Sequence, residues 1–175
     1  MNDREIKLYV KAIKFCVKAH GTQIRRYTGE PYWHHPVNVS NILVESGEHD
    51  IDMLCAAVLH DVVEDTETTV ADVSKEFGKD VAKLVDMLTD VSKPEDGNRK
   101  IRKSLDRDHL LMGSDKAKTI KLADLIDNSE SIVKYDQGFA KVYMVEKKEL
   151  LGVLVGGSPE LMARASKIVS DYFNT

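Results

Sequence analysis

Residues 54–66, LCAAVLHDVVEDT, constrain this chain more than any other stretch. The first half, Leu54 to Leu59, is apolar and mostly small, which fits a helix buried on all sides rather than one lying at a surface. The second half places His60, Asp61, Glu64 and Asp65 at i, i+1, i+4 and i+5. On one continuous helix turning about 100° per residue, those four side chains share an arc of roughly 140°. Ionisable groups at the end of so apolar a helix need compensation, because burying unpaired charge is costly. A bound divalent cation is the economical compensation. For Asp65-Thr66 taken alone, a polar helix exit is the simpler reading.

The remaining sequence repeats the helical period. Ile6, Leu8, Val10, Ala12, Ile13, Phe15 and Val17 predict an amphipathic helix over 3–19. Residues 20–36 lose the period and carry Gly21, Gly29, Pro31 and Pro36, so they predict a loop long enough to have a role. A helix follows with Pro36 in its first turn and stops near Gly47, and Asp50 is placed to cap the helix of the opening stretch. Thr69 with Asp72 resembles a capping box. Further helices are predicted over 79–90, 100–112, 116–134, 139–154 and 159–173, with a polar break at 92–99. No β-alternation of useful length is present. The expectation is an all-α single domain over residues 1–175, a bundle of about eight to ten helices.

Charge and composition narrow the partners. The formal charge is −4 and no Lys/Arg block exceeds local pairs such as Arg25-Arg26. Broad adhesion to a nucleic acid polymer or an anionic membrane is therefore not expected. No apolar run approaches the ~20 residues of a membrane span, and Met1 to Glu5, with no basic stretch leading into an apolar one, predict no signal peptide. Cys16 and Cys55 each lie in apolar helical context and are read as buried reduced thiols of a cytosolic protein. The Val/Leu spacing of 139–155 is read as core or as a subunit contact, which leaves a homo-oligomer open.

Two more segments carry groups suited to the same chemistry. His34-His35-Pro36 puts an imidazole at a helix entrance, and Lys121-Leu122-Ala123-Asp124 ends an apolar half-turn with a carboxylate, Asn128 standing one turn beyond. His35, His60, Asp61 and Asp124 would together make a site of two imidazoles and two carboxylates. Mixed nitrogen and oxygen ligation without thiolate suits Mn²⁺, Fe²⁺, Mg²⁺ or Zn²⁺. Such an ion activates water near neutral pH and polarises a phosphoryl oxygen, with Glu64 and Asp65 beside it as proton acceptors.

These residues resemble the H…HD…D signature of the HD-domain metal-dependent phosphohydrolases. The flanking residues are similar to those of the RelA/SpoT-type (p)ppGpp hydrolases: His20-Gly21-Thr22-Gln23, Arg25-Arg26, Gly29-Glu30-Pro31-Tyr32 and His35-Pro36, then Ala57 through Thr66, then Lys121 through Asp124 with Asn128. The likeness spans about residues 10–135 and is closest to the stand-alone small alarmone hydrolases, including the metazoan SpoT-homologue type. It implies an HD-domain helical bundle, one Mn²⁺ on His35, His60, Asp61 and Asp124, and release of pyrophosphate from the 3′ position of ppGpp. It also implies Glu64 and Asp65 as the catalytic acidic pair. Asn128 would hold nucleotide or nucleophile, Arg25 would sit near the guanine, and Tyr32 would lie against the nucleotide.

The chain departs from that pattern after the last ligand. Long family members read Arg-Leu-His-Asn-Met-Arg where this chain reads Leu125-Ile126-Asp127-Asn128-Ser129-Glu130, so basic groups give way to acidic ones. Counter-charge for a small-molecule nucleotide substrate would come from Arg25, Arg26, Lys93, Arg99, Lys100, Arg102, Lys103 and Lys121 acting as a phosphate-binding mouth. Trp33 is read either as a base-stacking ring or as a packing aromatic. Two alternatives accompany the alarmone hydrolase: an HD phosphatase for another phosphorylated nucleotide, such as NADPH or a nucleoside monophosphate, and a non-catalytic nucleotide-binding HD module.

Overall fold

From Met53 to Leu59 no residue is more than 2% exposed, and the first part of the chain is built around this run. The computed structural model describes residues 1–174. In it the run fills α3 (Ile51–Leu59), capped by the Asp50 carboxylate, which accepts from the Met53 amide at 2.9 Å. Small, apolar residues on every side allow three helices to approach: α1 (Asp3–His20), α2 (His34–Glu45) and α6 (Lys79–Leu88) all pack on α3. Burial of each Leu or Val of α3 contributes roughly 1.5–3 kcal/mol.

Local chemistry sets the ends of these helices. Asn2 and Glu5 close a capping box at the start of α1, and Ala12, Cys16 and His20 form its buried stripe at four-residue spacing. The Thr69–Asp72 box opens α5 (Val70–Phe77), which packs on α6 across a reversal at Gly78, where φ is +95°. That backbone conformation disfavours any residue with a Cβ. Cys16 and Cys55 are free and wholly buried, and burial, aided by Asp61 and Asp52 respectively, pushes each thiol up to about 12.

The continuous helix expected through 54–66 is interrupted. α3 ends at Leu59, the chain turns at His60-Asp61, and a short α4 (Val62–Asp65) follows. The cause is visible at the break: His60 Nδ1 lies 2.7 Å from the Ala57 carbonyl, the acceptor an unbroken helix would offer to the Asp61 amide.

The contacts divide the chain into two compact units, Met1–Thr89 and Asp90–Thr175. The second holds a 3₁₀ turn (Pro94–Asp96), α7 (Arg99–Leu111), α8 (Asp115–Tyr135), α9 (Gln137–Leu151) and α10 (Pro159–Asn174). α8 packs on α9 and α10 and is buried without a break from Leu122 to Ile126. The polar break expected at 92–99 is anchored at its start. Asp106, 7% exposed, accepts from the Val91 amide (3.1 Å), the Ser92 amide (2.9 Å) and the Ser92 hydroxyl (3.1 Å).

Ten α-helices and an isolated bridge between Ile24 and Pro31, with no strand among the described residues, make the class all-α, as the periodicity predicts. No helix among the described residues is long and apolar enough to cross a membrane.

Asp106→Ala leaves two backbone donors of the 91–92 segment without their acceptor. The expected loss is roughly 1–3 kcal/mol in urea unfolding, with Asp106→Asn less affected because one oxygen acceptor remains. An alanine variant as stable as the parent would show that these bonds contribute nothing.

Candidate metal centre

The turn at His60-Asp61 decides where the polar groups of the first unit point. With the Ala57 carbonyl as its partner, neutral His60 must carry its proton on Nδ1, so Nε2 presents a lone pair. That Nε2 lies 3.1 Å from Asp61 Oδ1. Two acceptors at this separation require a proton or a cation between them.

His35, at the second position of α2, adds another nitrogen: its Nε2 lies 3.6 Å from Asp61 Oδ2. The two imidazole rings stand 5.2 Å apart at 71°. Both histidines are 2% exposed. One ligand atom from each of His35, His60 and Asp61 lies within 4.8 Å of the others, so the cluster can hold a metal ion. Its donor set of two imidazoles and a carboxylate suits a divalent ion of the first transition row.

The loop 21–33 supplies a clasp. Tyr32 donates its backbone N–H to the Gln23 carbonyl (2.9 Å), and Arg25 donates to Glu30 (2.8 Å), across the Ile24–Pro31 bridge. Gly29, at φ +71°, makes the turn between them. The Tyr32 side chain, expected against a nucleotide, donates its hydroxyl to Asp61 Oδ2 at 2.8 Å. Burial, and after it the negative charges of Asp61 and Asp65, raises the phenol far above its ordinary value, so it stays a donor.

Glu64 and Asp65 occupy the exposed end of α4. Loss of hydration at the Asp65 carboxyl, with Asp61 adding like charge, raises its pKa, against which Tyr32 and the nearby histidines act. A carboxyl held above its ordinary range takes up a proton more readily, as a base acting on water must. Arg25 is half-buried in the loop, and Trp33 lies edge-on to His34 with centroids 4.1 Å apart.

In the second unit, Asp124 is buried in α8 with both oxygens engaged: Lys121 Nζ lies 2.8 Å from Oδ2, and Asn128 donates to Oδ1 at 2.6 Å. The helical spacing predicted from sequence thus brings Lys121, Asp124 and Asn128 onto one face. Of the expected phosphate-binding cations, Arg99 forms a two-bond pair with Glu146 (2.7 and 2.9 Å) and Lys103 pairs with Asp90 at 2.5 Å. Sequence periodicity gave no role to His20 and Gln23. Their contacts run to Tyr32 and Asp65, and the one signal for them was membership of the His20–Gln23 motif.

A family model described as HD domain matches residues 12–144. The Drosophila melanogaster protein named guanosine-3′,5′-bis(diphosphate) 3′-pyrophosphohydrolase MESH1 is 36% identical over 167 residues, covering 91% of this chain and 92% of that protein. The human protein of the same name is 40% identical over 124 residues, 68% of this chain and 66% of that one. An Aquifex aeolicus guanosine-3′,5′-bis(diphosphate) 3′-pyrophosphohydrolase is 34% identical over 146 residues, 82% of this chain but 20% of its own length. The chain likewise spans 22% of a Mycoplasma pneumoniae relative. A solved structure described as "A metazoan ortholog of SpoT hydrolyzes ppGpp and plays a role in starvation responses" superposes with a TM-score of 0.85 at 33% identity, covering 94% of this chain and 95% of that one.

The raised Asp65 makes a pH prediction for the metal-free protein. A carboxyl with a folded-state pKa above its unfolded value costs stability once the unfolded chain ionises, and the full cost is present above the folded value. Asp65→Asn is therefore expected to be more stable than the parent at pH 7. The difference should shrink to nothing as pH falls below the ordinary carboxylate value of 3.8. Urea unfolding at several pH values measures it, and a pH-independent difference would contradict the cause assigned.

Proposed function

The chain belongs to the HD-domain family, and from that premise we propose that it hydrolyses guanosine 3′,5′-bis(diphosphate) to GDP and pyrophosphate with a bound divalent metal. The observation that carries this is the buried meeting of His35, His60 and Asp61, in which a lone pair faces a carboxylate oxygen at 3.1 Å. Relatives covered along most of their length bear the name of this reaction, which favours it over other HD chemistries. We read residues 1–175 as one such domain, and the two free, buried thiols support a cytosolic setting.

The proposed ligands are His35, His60, Asp61 and, from the order of the motifs, Asp124. Mn²⁺ is the first choice, with Fe²⁺, Mg²⁺ and Zn²⁺ as alternatives for the same donors. When bound, such an ion supplies Lewis acidity toward the phosphate and lowers the pKa of a coordinated water. The chain's residues do the rest. Glu64 and Asp65 accept the proton as the water oxygen bonds to the phosphorus next to the ribose. The bond from that phosphorus to the ribose 3′ oxygen breaks, and the oxygen takes up a proton to leave a hydroxyl. Arg25 and Lys121 meet the phosphate charge, Asn128 orients nucleotide or nucleophile, and Tyr32 combines its hold on Asp61 with a ring edge for the nucleotide.

A second reading draws on the 125–130 segment. Asp127 and Glu130 replace basic groups there, which favours a substrate with less phosphate charge, such as NADPH or a nucleoside monophosphate, handled by the same centre. Product identity separates the two, since the first releases pyrophosphate and the second orthophosphate.

Purified protein with Mn²⁺ is expected to convert ppGpp to GDP and pyrophosphate. Asp61→Ala should lose metal and turnover together, whereas Glu64→Gln should keep metal and lose turnover by about 10²–10⁴-fold. Metal analysis beside product chromatography reads both. Bound metal without turnover of any nucleotide would leave a binding module instead.

A further inference from the structure

Behind the metal-competent cluster lies a layer of contacts that centres on His20, the last residue of α1. The ring is 2% exposed. Its Nδ1 lies 2.8 Å from Gln23 Oε1, and the Gln23 amide nitrogen donates to the Asp65 carbonyl at 2.8 Å. Only the nitrogen end of an amide can donate to a carbonyl, so the second bond fixes which end of Gln23 faces His20. With an oxygen as its partner, neutral His20 must carry its proton on Nδ1. Nε2 then holds a lone pair, and that atom is buried with no hydrogen-bond partner among the described residues.

Such a buried acceptor costs stability, which an apolar ring of similar size would avoid. What the imidazole provides is contact with both halves of the hydrolytic machinery. Through Gln23 it reaches the backbone of Asp65. Its face lies on Tyr32, with centroids 4.7 Å apart at 36°, and the Tyr32 hydroxyl donates to Asp61.

Resting on the hydrolase reading above, we propose that His20 is a positioning residue that, with its proton on Nδ1, sets Asp65 through Gln23. It touches no substrate in this scheme. Its contribution is to kcat, because it orders groups that act on the transferring phosphate rather than groups that bind the nucleotide.

The test compares the parent with His20→Phe, His20→Asn and His20→Gln, measuring ppGpp turnover, manganese content and thermal unfolding. The asparagine amide N–H sits where Nδ1–H does, whereas the glutamine amide extends toward the place of Nε2. Phenylalanine is expected to lower kcat on the order of 10- to 100-fold, the cost of misplacing catalytic groups, with KM, metal content and unfolding temperature little changed. Asparagine should recover most of the loss, and glutamine should not. Parent-like kcat in His20→Phe, an asparagine variant no better than phenylalanine, or loss of activity that tracks loss of metal or of folding would each overturn the proposal.

Long-range proton–nitrogen correlation spectra of the histidine rings give a readout without turnover. The proton of His20 is expected on Nδ1, and the Nε2–H form would refute the assignment. If the parent protein leaves ppGpp intact, the hydrolase reading fails, while the ring spectra still decide the state of His20.

Discussion

Asp61 meets two imidazole nitrogens and a phenol hydroxyl just beyond a helix that is apolar from Met53 to Leu59. Tyr32 donates its hydroxyl to it. The His60 nitrogen approaches as a base, and a carboxylate beside a base in a desolvated setting is stabilised when positive charge joins it. The first unit therefore carries a buried polar cluster whose desolvation is costly. The burial of α3 offsets this: a run of apolar residues, each contributing on the order of a kilocalorie or more, ends where the polar cluster begins. Stability and chemistry are adjacent in the sequence because one is needed to sustain the other.

The helices were legible because their signals are local. The α1 stripe, the Thr69–Asp72 box and the Asp50 cap depend on residues within one turn of each other, and each is present in the structure. The break at His60 was not legible. Spacing alone treats residues 54–66 as continuous, while the chain turns on one contact between an imidazole nitrogen and a carbonyl three residues back. That contact alters no period. It shows itself only when the side chain's rotamer is known, yet it sets the direction of the His60 lone pair.

Partner choice over long separations was the other thing the sequence withheld. Tyr32 is an obvious candidate to lie on a nucleotide, but nothing in its neighbours reveals that its hydroxyl reaches Asp61, twenty-nine positions on. Arg99 and Lys103 look equally suited to meet phosphate, yet Glu146, forty-seven positions from Arg99, and Asp90 engage them. His20 is hardest of all to find by pattern. A buried histidine at a helix end reads as core until the orientation of the Gln23 amide fixes its proton.

The departure at residues 125–130 changes surface charge more than it changes the setting of Asp124, which it follows. Asn128 and Lys121 each hold one oxygen of Asp124, one turn away on either side, so the carboxylate's orientation does not depend on the residues that differ. Asp127 is half-buried and Glu130 exposed, and charge at the surface acts on an approaching anion through water and salt, which screen it within about 10 Å. The acidic replacements thus change the field an approaching anion meets while leaving the groups around Asp124 in place. The setting of Asp124 and the surface charge near it are fixed by different residues of α8, which lets a chain keep the one and alter the other.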